Sequence, residues 1–192
     1  MSDMTIGFAI TGSFCTFKAV FPQMNLLVEH GYRVLPIMSE NAYATDTRFG
    51  RAADWAAQAE EICGEKVIHT IAQAEPIGPK KLLDLLILAP CTGNSLAKIA
   101  AGSTDTPATL SVISHLRNGR PVLIAVSTND ALGAAARNIG ALMNYKHMYF
   151  LPMAQDDPVK KPNSLVARFE LMRAGAREAL NGRNLQPVML EK

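Results

Sequence analysis

Cysteine is scarce in this sequence: Cys15, Cys63 and Cys91 are an odd number without CxxC spacing. That usage excludes a disulfide scaffold and a zinc knuckle. The four histidines, His30, His69, His115 and His147, form no HxxxH or HxH pattern, so no metal site is expected. Excess charge is missing as well. A net charge of +2 with no long Lys/Arg cluster leaves no electrostatic footprint for nucleic acid. No apolar run approaches the ~20 residues of a membrane span. The opening MSDMTIGFAITGS has no basic leader and its apolar stretch is only strand-length, so a cytoplasmic protein is expected. Repeats and low-complexity tracts are absent too. What remains is a chain of 192 residues, 48% hydrophobic and 19% charged, suited to one domain with a sizeable core.

Apolar strand-like runs recur between helical patterns. TIGFAIT (5–11) is followed by a helix over PQMNLLVEHG (22–31), with Pro22 at its first turn or kinking one longer helix. YRVLPIMS (32–39) reads as a strand interrupted near Pro36, and 47–64 as an Ala-rich helix stopped by Gly64. KVIHTI (66–71) is a short strand candidate and LLDLLILA (82–89) the clearest buried strand. Helices follow at LAKIAAG (96–102) and 108–119, then a strand at PVLIAVS (121–127), a helix at 131–144 and a strand at HMYFLPM (147–153). Residues 154–164, polar with two prolines, read as a loop that serves as a surface connection or a lid. A final helix is expected over about 164–181, where Leu165, Phe169, Met172, Ala176 and Leu180 keep helical spacing. Its Arg168, Arg173 and Arg177 form a solvated face or a contact for an anion or partner. Val/Ile/Leu-rich strands alternating with helices predict a doubly wound, three-layer αβα parallel sheet of flavodoxin-like or Rossmann-like type.

In such sheets ligands bind beyond the C-terminal strand ends, where strand order reverses. Four strand ends deliver unusual residues there. Gly12-Ser13-Phe14 opens a helix and suits a phosphate, because glycine admits close backbone approach and the serine adds a donor; a plain strand-to-helix turn explains it equally. One glycine is not the three of GxGxxG, which favours a mononucleotide such as FMN over NAD. Ser39 caps the next segment or donates to the same ligand. Thr92, Asn94 and Ser95 suit ring carbonyls or ribityl hydroxyls, although one of them caps the following helix. Cys91 is a reactive thiol at a helix N-terminus or a small apolar packing residue. Asn129 follows a buried strand and orients a carboxylate, or is a turn residue.

These segments, in this order, resemble the flavin-containing cysteine decarboxylases, FMN proteins of flavodoxin-like architecture. GSFCTFK (12–18) is similar to that family's GSIAAYK loop, and PCTGNS (90–95) with LAKIAAG is similar to its PASANT motif. TDTPAT (104–109) matches the ADNLLT-type stretch loosely, and VSTNDAL (126–132) keeps Asn129 of the PAMNxxM motif but not its methionines. AEPIGP (74–79) places Pro76 where the decarboxylases carry a histidine, so decarboxylation of a cysteine tail is not expected; His69 lies too far upstream to replace it. The combination of IGFAITGSFCTF, AEPIGPKK, LAPCTGNSLAKIAAG and IAVSTNDALGAAARNI is similar to one branch of the family. Members of that branch work together with a separate A subunit, converting dihydrodipicolinate to dipicolinate during sporulation. The resemblance implies FMN held by Gly12, Ser13, Phe14, Ser39, Pro90, Cys91, Thr92, Asn94, Ser95 and Asn129, with NADP on the A subunit. It also implies a homo-oligomer. It assigns no catalytic residue and leaves a purely structural or regulatory role as the alternative. A dicarboxylate substrate calls for cations or amides, for which Lys18, Arg48 and Asn129 are the candidates.

Overall fold

The computed structural model describes residues 4–190. β1 (Thr5–Ile10) passes through a 3-10 turn at Phe14–Thr16 into α1 (Phe17–Glu29). β2 (Arg33–Met38), α2 (Glu40–Ala44), α3 (Ala52–Cys63) and α4 (Ile71–Ala74) come next. They lead to β3 (Leu85–Cys91), α5 (Gly93–Ala100), α6 (Pro107–Arg117), β4 (Val122–Thr128) and α7 (Ala136–Met143). Three short strands, β5 (Met148–Phe150), β6 (Met153–Ala154) and β7 (Leu165–Ala167), precede α8 (Met172–Leu180). The strands form one sheet in the order β2-β1-β3-β4-β7-β6, with β5 also paired to β4. β1 to β5 are parallel, while β7 and β6 add an antiparallel hairpin at the C-terminal half of β4.

Strand alternation divides the core in two. Ile6, Phe8 and Ile10 of β1, Leu85, Ile87 and Ala89 of β3, and Leu123 and Ala125 of β4 face one layer. They meet Phe17, Val20, Phe21 and Met24 of α1, Ala56 and Ala59 of α3, and Met172 and Ala176 of α8. Leu86 and Leu88, with Val122, Ile124 and Val126, face the other layer against Leu96, Val112, Ile139 and Leu142 of α5, α6 and α7. Both faces of the sheet are covered, which explains the continuous apolar runs.

Several expected elements shift. Pro22 lies inside α1, so the one longer helix forms, not a helix beginning at that proline. Pro36 does not interrupt β2: it pairs with Phe8 in an edge strand, where a missing N–H is tolerated. Residues 66–71 contribute only the isolated bridge Ile37–Ile68, because Thr70 and Gln73 form a capping box that starts α4. Residues 147–153 split into β5 and β6, and α7 begins at Ala136, not 131. The last helix does not begin at 164: Leu165–Ala167 is strand β7, and α8 starts at Met172.

Candidate functional site

β1 and β3 are neighbours, yet the helices that follow them pack on opposite faces, α1 on one and α5 on the other. Their ends therefore open a crevice at the switch point of the sheet. One hydroxyl joins the two lips: Thr11 Oγ1 donates to the Pro90 carbonyl at 2.7 Å and accepts from the Thr92 N–H at 3.1 Å. The Thr11 N–H reaches the same carbonyl at 3.3 Å.

Pairing between β3 and β4 shifts register between Leu88 and Cys91, where Ala89 and Pro90 oppose Ala125 alone. This bulge inverts the strand's alternation beyond it. Cys91, which strict alternation would put on the α1 side, instead packs among Leu88, Leu96 and Val126. It is fully buried, and burial pushes its thiol well above the usual range. The reading of Cys91 as a reactive thiol is therefore overturned by its packing. Pro90 is also buried and presents its carbonyl to Thr11, not to the crevice.

Two cavities flank the Gly12–Thr92 ridge. The first, about 360 Å³, is lined by Thr11, Gly12, Phe14, Ser39, Glu40 and Asn41 from the β1 and β2 ends. Thr92, Asn94, Ser95 and Lys98 of the β3–α5 junction, with Asp105 and Thr106, complete it. A cofactor site typically spans about 300–1,000 Å³. Its walls are set by caps: Ser39 Oγ accepts from Ala42 N at 3.3 Å, and Thr92 Oγ1 accepts from Ser95 N at 3.3 Å. Ser95 Oγ lies 3.1 Å from Thr92 Oγ1, so Thr92 is the cap while Asn94 and Ser95 ride the first turn of α5. Thr106 forms a capping box with Thr109 at the start of α6. Lys98 donates to Asp105 at 2.7 Å, and that bond, with one from Ser103, holds the Asp105 carboxyl below its ordinary range.

The second cavity, about 430 Å³, shares Gly12 and Thr92 with the first. Ser13, Cys15, Ser127, Thr128 and Asn129 line it, and Asp156 and Lys161 enter from the β6–β7 connection. Ser13 belongs here: its N–H turns back to Thr11 O at 2.7 Å and its hydroxyl lies 2.8 Å from Ser127 Oγ. Asp156 stays ionised to lower pH than usual. Burial opposes this, but hydrogen bonds from Ser164 and Lys161 prevail.

The structure thus brings Gly12, Phe14, Ser39, Thr92, Asn94 and Ser95 together in one cavity and sets Ser13 and Asn129 in its neighbour. Lys18 is exposed on α1 and Arg48 stacks over the Phe49 ring at 4.9 Å; neither lines either cavity. His69 stacks on Tyr43, ring centroids 3.8 Å apart, also away from both. Sequence reasoning missed Asn41, Lys98, Asp105, Thr106 and Lys161. Asp105 and Thr106 carried a signal in the TDTPAT stretch, and Thr106 a second one as the cap before Pro107 at a helix start.

The cavity chemistry fits a flavin mononucleotide. Hydroxyls and amides ring the first cavity, Phe14 supplies an apolar wall, and its charged groups are Glu40 and the Lys98–Asp105 pair, whose ammonium keeps two protons. A Cβ at Gly12 would lie 3.5 Å from Phe14 and 4.0 Å from Asn41, both residues that line this cavity. The flavoprotein family model matches residues 1–164. The chain belongs to the flavoprotein family. The dipicolinate synthase B subunit of Bacillus subtilis (strain 168) is 46% identical over 186 residues, 97% of this chain and 93% of that protein. The crystal structure of the dipicolinate synthase B subunit from Bacillus halodurans superimposes with a TM-score of 0.90 at 44% identity, covering 100% of both chains. A more distant flavoprotein, Burkholderia xenovorans DmrB in complex with FMN and described as a cubic protein cage for redox transfer, shares the fold. Its TM-score is 0.68 at 17% identity over 93% of this chain and 96% of its own. Among the described residues, no helix is long and apolar enough to cross a membrane.

Proposed function

We propose that this chain is the B subunit of a dipicolinate synthase, a single-domain cytoplasmic protein that binds FMN at the β1–β3 switch point. With a separate A subunit it converts dihydrodipicolinate to dipicolinate during sporulation. The observation that carries the reading is the convergence of Gly12, Phe14, Ser39, Thr92, Asn94 and Ser95 on one cavity, in a chain 46% identical to a dipicolinate synthase B subunit. Bound FMN supplies a ring that accepts a hydride. The chain's own residues hold and orient that ring: amides at the rim, hydroxyls at the β2 and β3 ends, the Phe14 face and the Lys98 ammonium. Pro90 and Cys91 shape the crevice from behind. Asn129 and Ser13, across the ridge, face the substrate side. A chain with a single glycine at its first strand end has no dinucleotide loop there, which supports an NADP site on the A subunit. Homo-oligomerisation completes the proposal, by analogy with the caged relative.

A second reading, a non-catalytic subunit that stabilises the A chain, is favoured by the linings of the two cavities, neither of which includes a histidine. An absorption titration of the purified protein with FMN decides between the two. Shifted flavin bands, lost in Gly12→Val and weakened in Asn94→Asp, support the cofactor site; an unperturbed FMN spectrum at saturation leaves the structural role.

A further inference from the structure

The second cavity carries donors that the flavin reading leaves unused. Ser13 Oγ and Ser127 Oγ are 2.8 Å apart, so one hydroxyl proton bridges them and the other is left to donate. Thr128 Oγ1 accepts from the Asp130 N–H at 3.3 Å and keeps its own proton. The cation lining the same cavity is Lys161, which gives one ammonium proton to Asp156 at 2.9 Å and retains two. Its position is braced. Asp156 accepts from Ser164 Oγ, Lys161 N–H donates to Asp157 O at 2.7 Å, and Leu132 N–H donates to Asn163 O at 2.9 Å. The last bond ties the β6–β7 connection to the segment after β4. These residues are held as a turn, not as a loose loop.

A cavity lined by hydroxyl donors and by a lysine whose ammonium keeps two protons beyond its bond to Asp156, sharing Gly12 and Thr92 with the flavin cavity, offers donors to both ends of a small planar dicarboxylate. Resting on the flavin reading above, we propose that this cavity takes the ring dicarboxylate and that Lys161 selects its second carboxylate. One carboxylate meets two donors, the free proton of the Ser13–Ser127 pair and that of Thr128. The other lies against the free ammonium protons of Lys161. The ring between them abuts the Gly12–Thr92 ridge. Lys161 determines specificity and transfers no proton.

The test compares pyridine-2,6-dicarboxylate with pyridine-2-carboxylate by calorimetry on the full-length protein in metal-free buffer, with and without FMN. Wild type is expected to prefer the dicarboxylate by about tenfold, the contribution of one charge-assisted hydrogen bond. Lys161→Met abolishes the preference while leaving monocarboxylate and FMN affinity unchanged. Asp156→Asn, which breaks the same ion pair but leaves the ammonium freer, keeps or enlarges it. Equal losses in Lys161→Met and Asp156→Asn would overturn the proposal, because the pair would then matter only for the shape of the turn. No preference in FMN-loaded wild type also overturns it and leaves the flavin reading standing. A preference without any FMN binding supports Lys161 and sinks the flavin site instead.

Discussion

His115 is buried in the last turn of α6, with Nε2 3.0 Å from the Pro121 carbonyl and Nδ1 without a partner among the described residues. Nε2 must carry the proton, leaving Nδ1 as a buried acceptor that another proton would turn into an unsolvated charge. Burial is the main reason its pKa falls from 6.5 to about 4. The Pro121 carbonyl and Asp84 oppose that fall and Arg120 adds to it. As pH drops below 6.5 the unfolded chain binds this proton first, so His115 removes stability progressively until about pH 4 and nothing further below. At about 1.4 kcal/mol per pH unit the full loss is about 3 kcal/mol, against the 5–15 kcal/mol of an ordinary domain. Urea unfolding of wild type and His115→Gln at pH 7.0 and 4.5 isolates the effect. Glutamine keeps a donor for Pro121 but cannot titrate, and the acid-sensitive carboxyls of Glu60, Asp105 and Asp156 are common to both proteins. Wild type is expected to lose about 2.5 kcal/mol more than the variant over that interval. Parallel losses would refute the reasoning, by showing that water reaches Nδ1 or that the ring is not held as described.

Thiol accessibility gives a further check: a chromogenic disulfide should react rapidly with exposed Cys15 and slowly with Cys63. Burial, with Glu65 adding to it, pushes the Cys63 thiol up to about 12, and Cys91 should react only after unfolding. Rapid modification of Cys91 in the folded protein would contradict its complete burial. Thr92→Ala should cost about 1 kcal/mol through the lost α5 cap, while Thr92→Ser restores most of it; melting temperatures with and without FMN then separate the cap from any ligand contact.

The architecture was legible where the physics is local and repetitive. β1, β3 and β4 announce themselves as unbroken apolar runs because both faces are covered, and Gly64 ends α3 in the left-handed conformation glycine favours (φ 65°). The first cavity was legible in part, since Gly12, Ser39 and Thr92 sit at strand ends whose side of the sheet is set by topology. Other features depended on partners that no local pattern encodes. The orientation of Cys91 follows from a register shift against β4. β7 is three residues whose alternation is too short to outweigh helical spacing into α8, and its strand character comes from pairing with β4 and β6. Lys161 was hidden because a polar stretch between prolines looks alike whether it is braced or loose.

The Thr11 hydroxyl also has a consequence for how the protein is made. Its two bonds span 79 and 81 positions of the chain, so neither lip of the crevice is finished until the ribosome has delivered both. No fragment that stops short of β3 contains the joined crevice, so any ligand of that crevice would report on completed assembly of β1 against β3. Once captured, a ligand that binds only this joined state stabilises the long-range pairing as a whole by mass action. A ligand present during synthesis would add its binding free energy to the joined state alone.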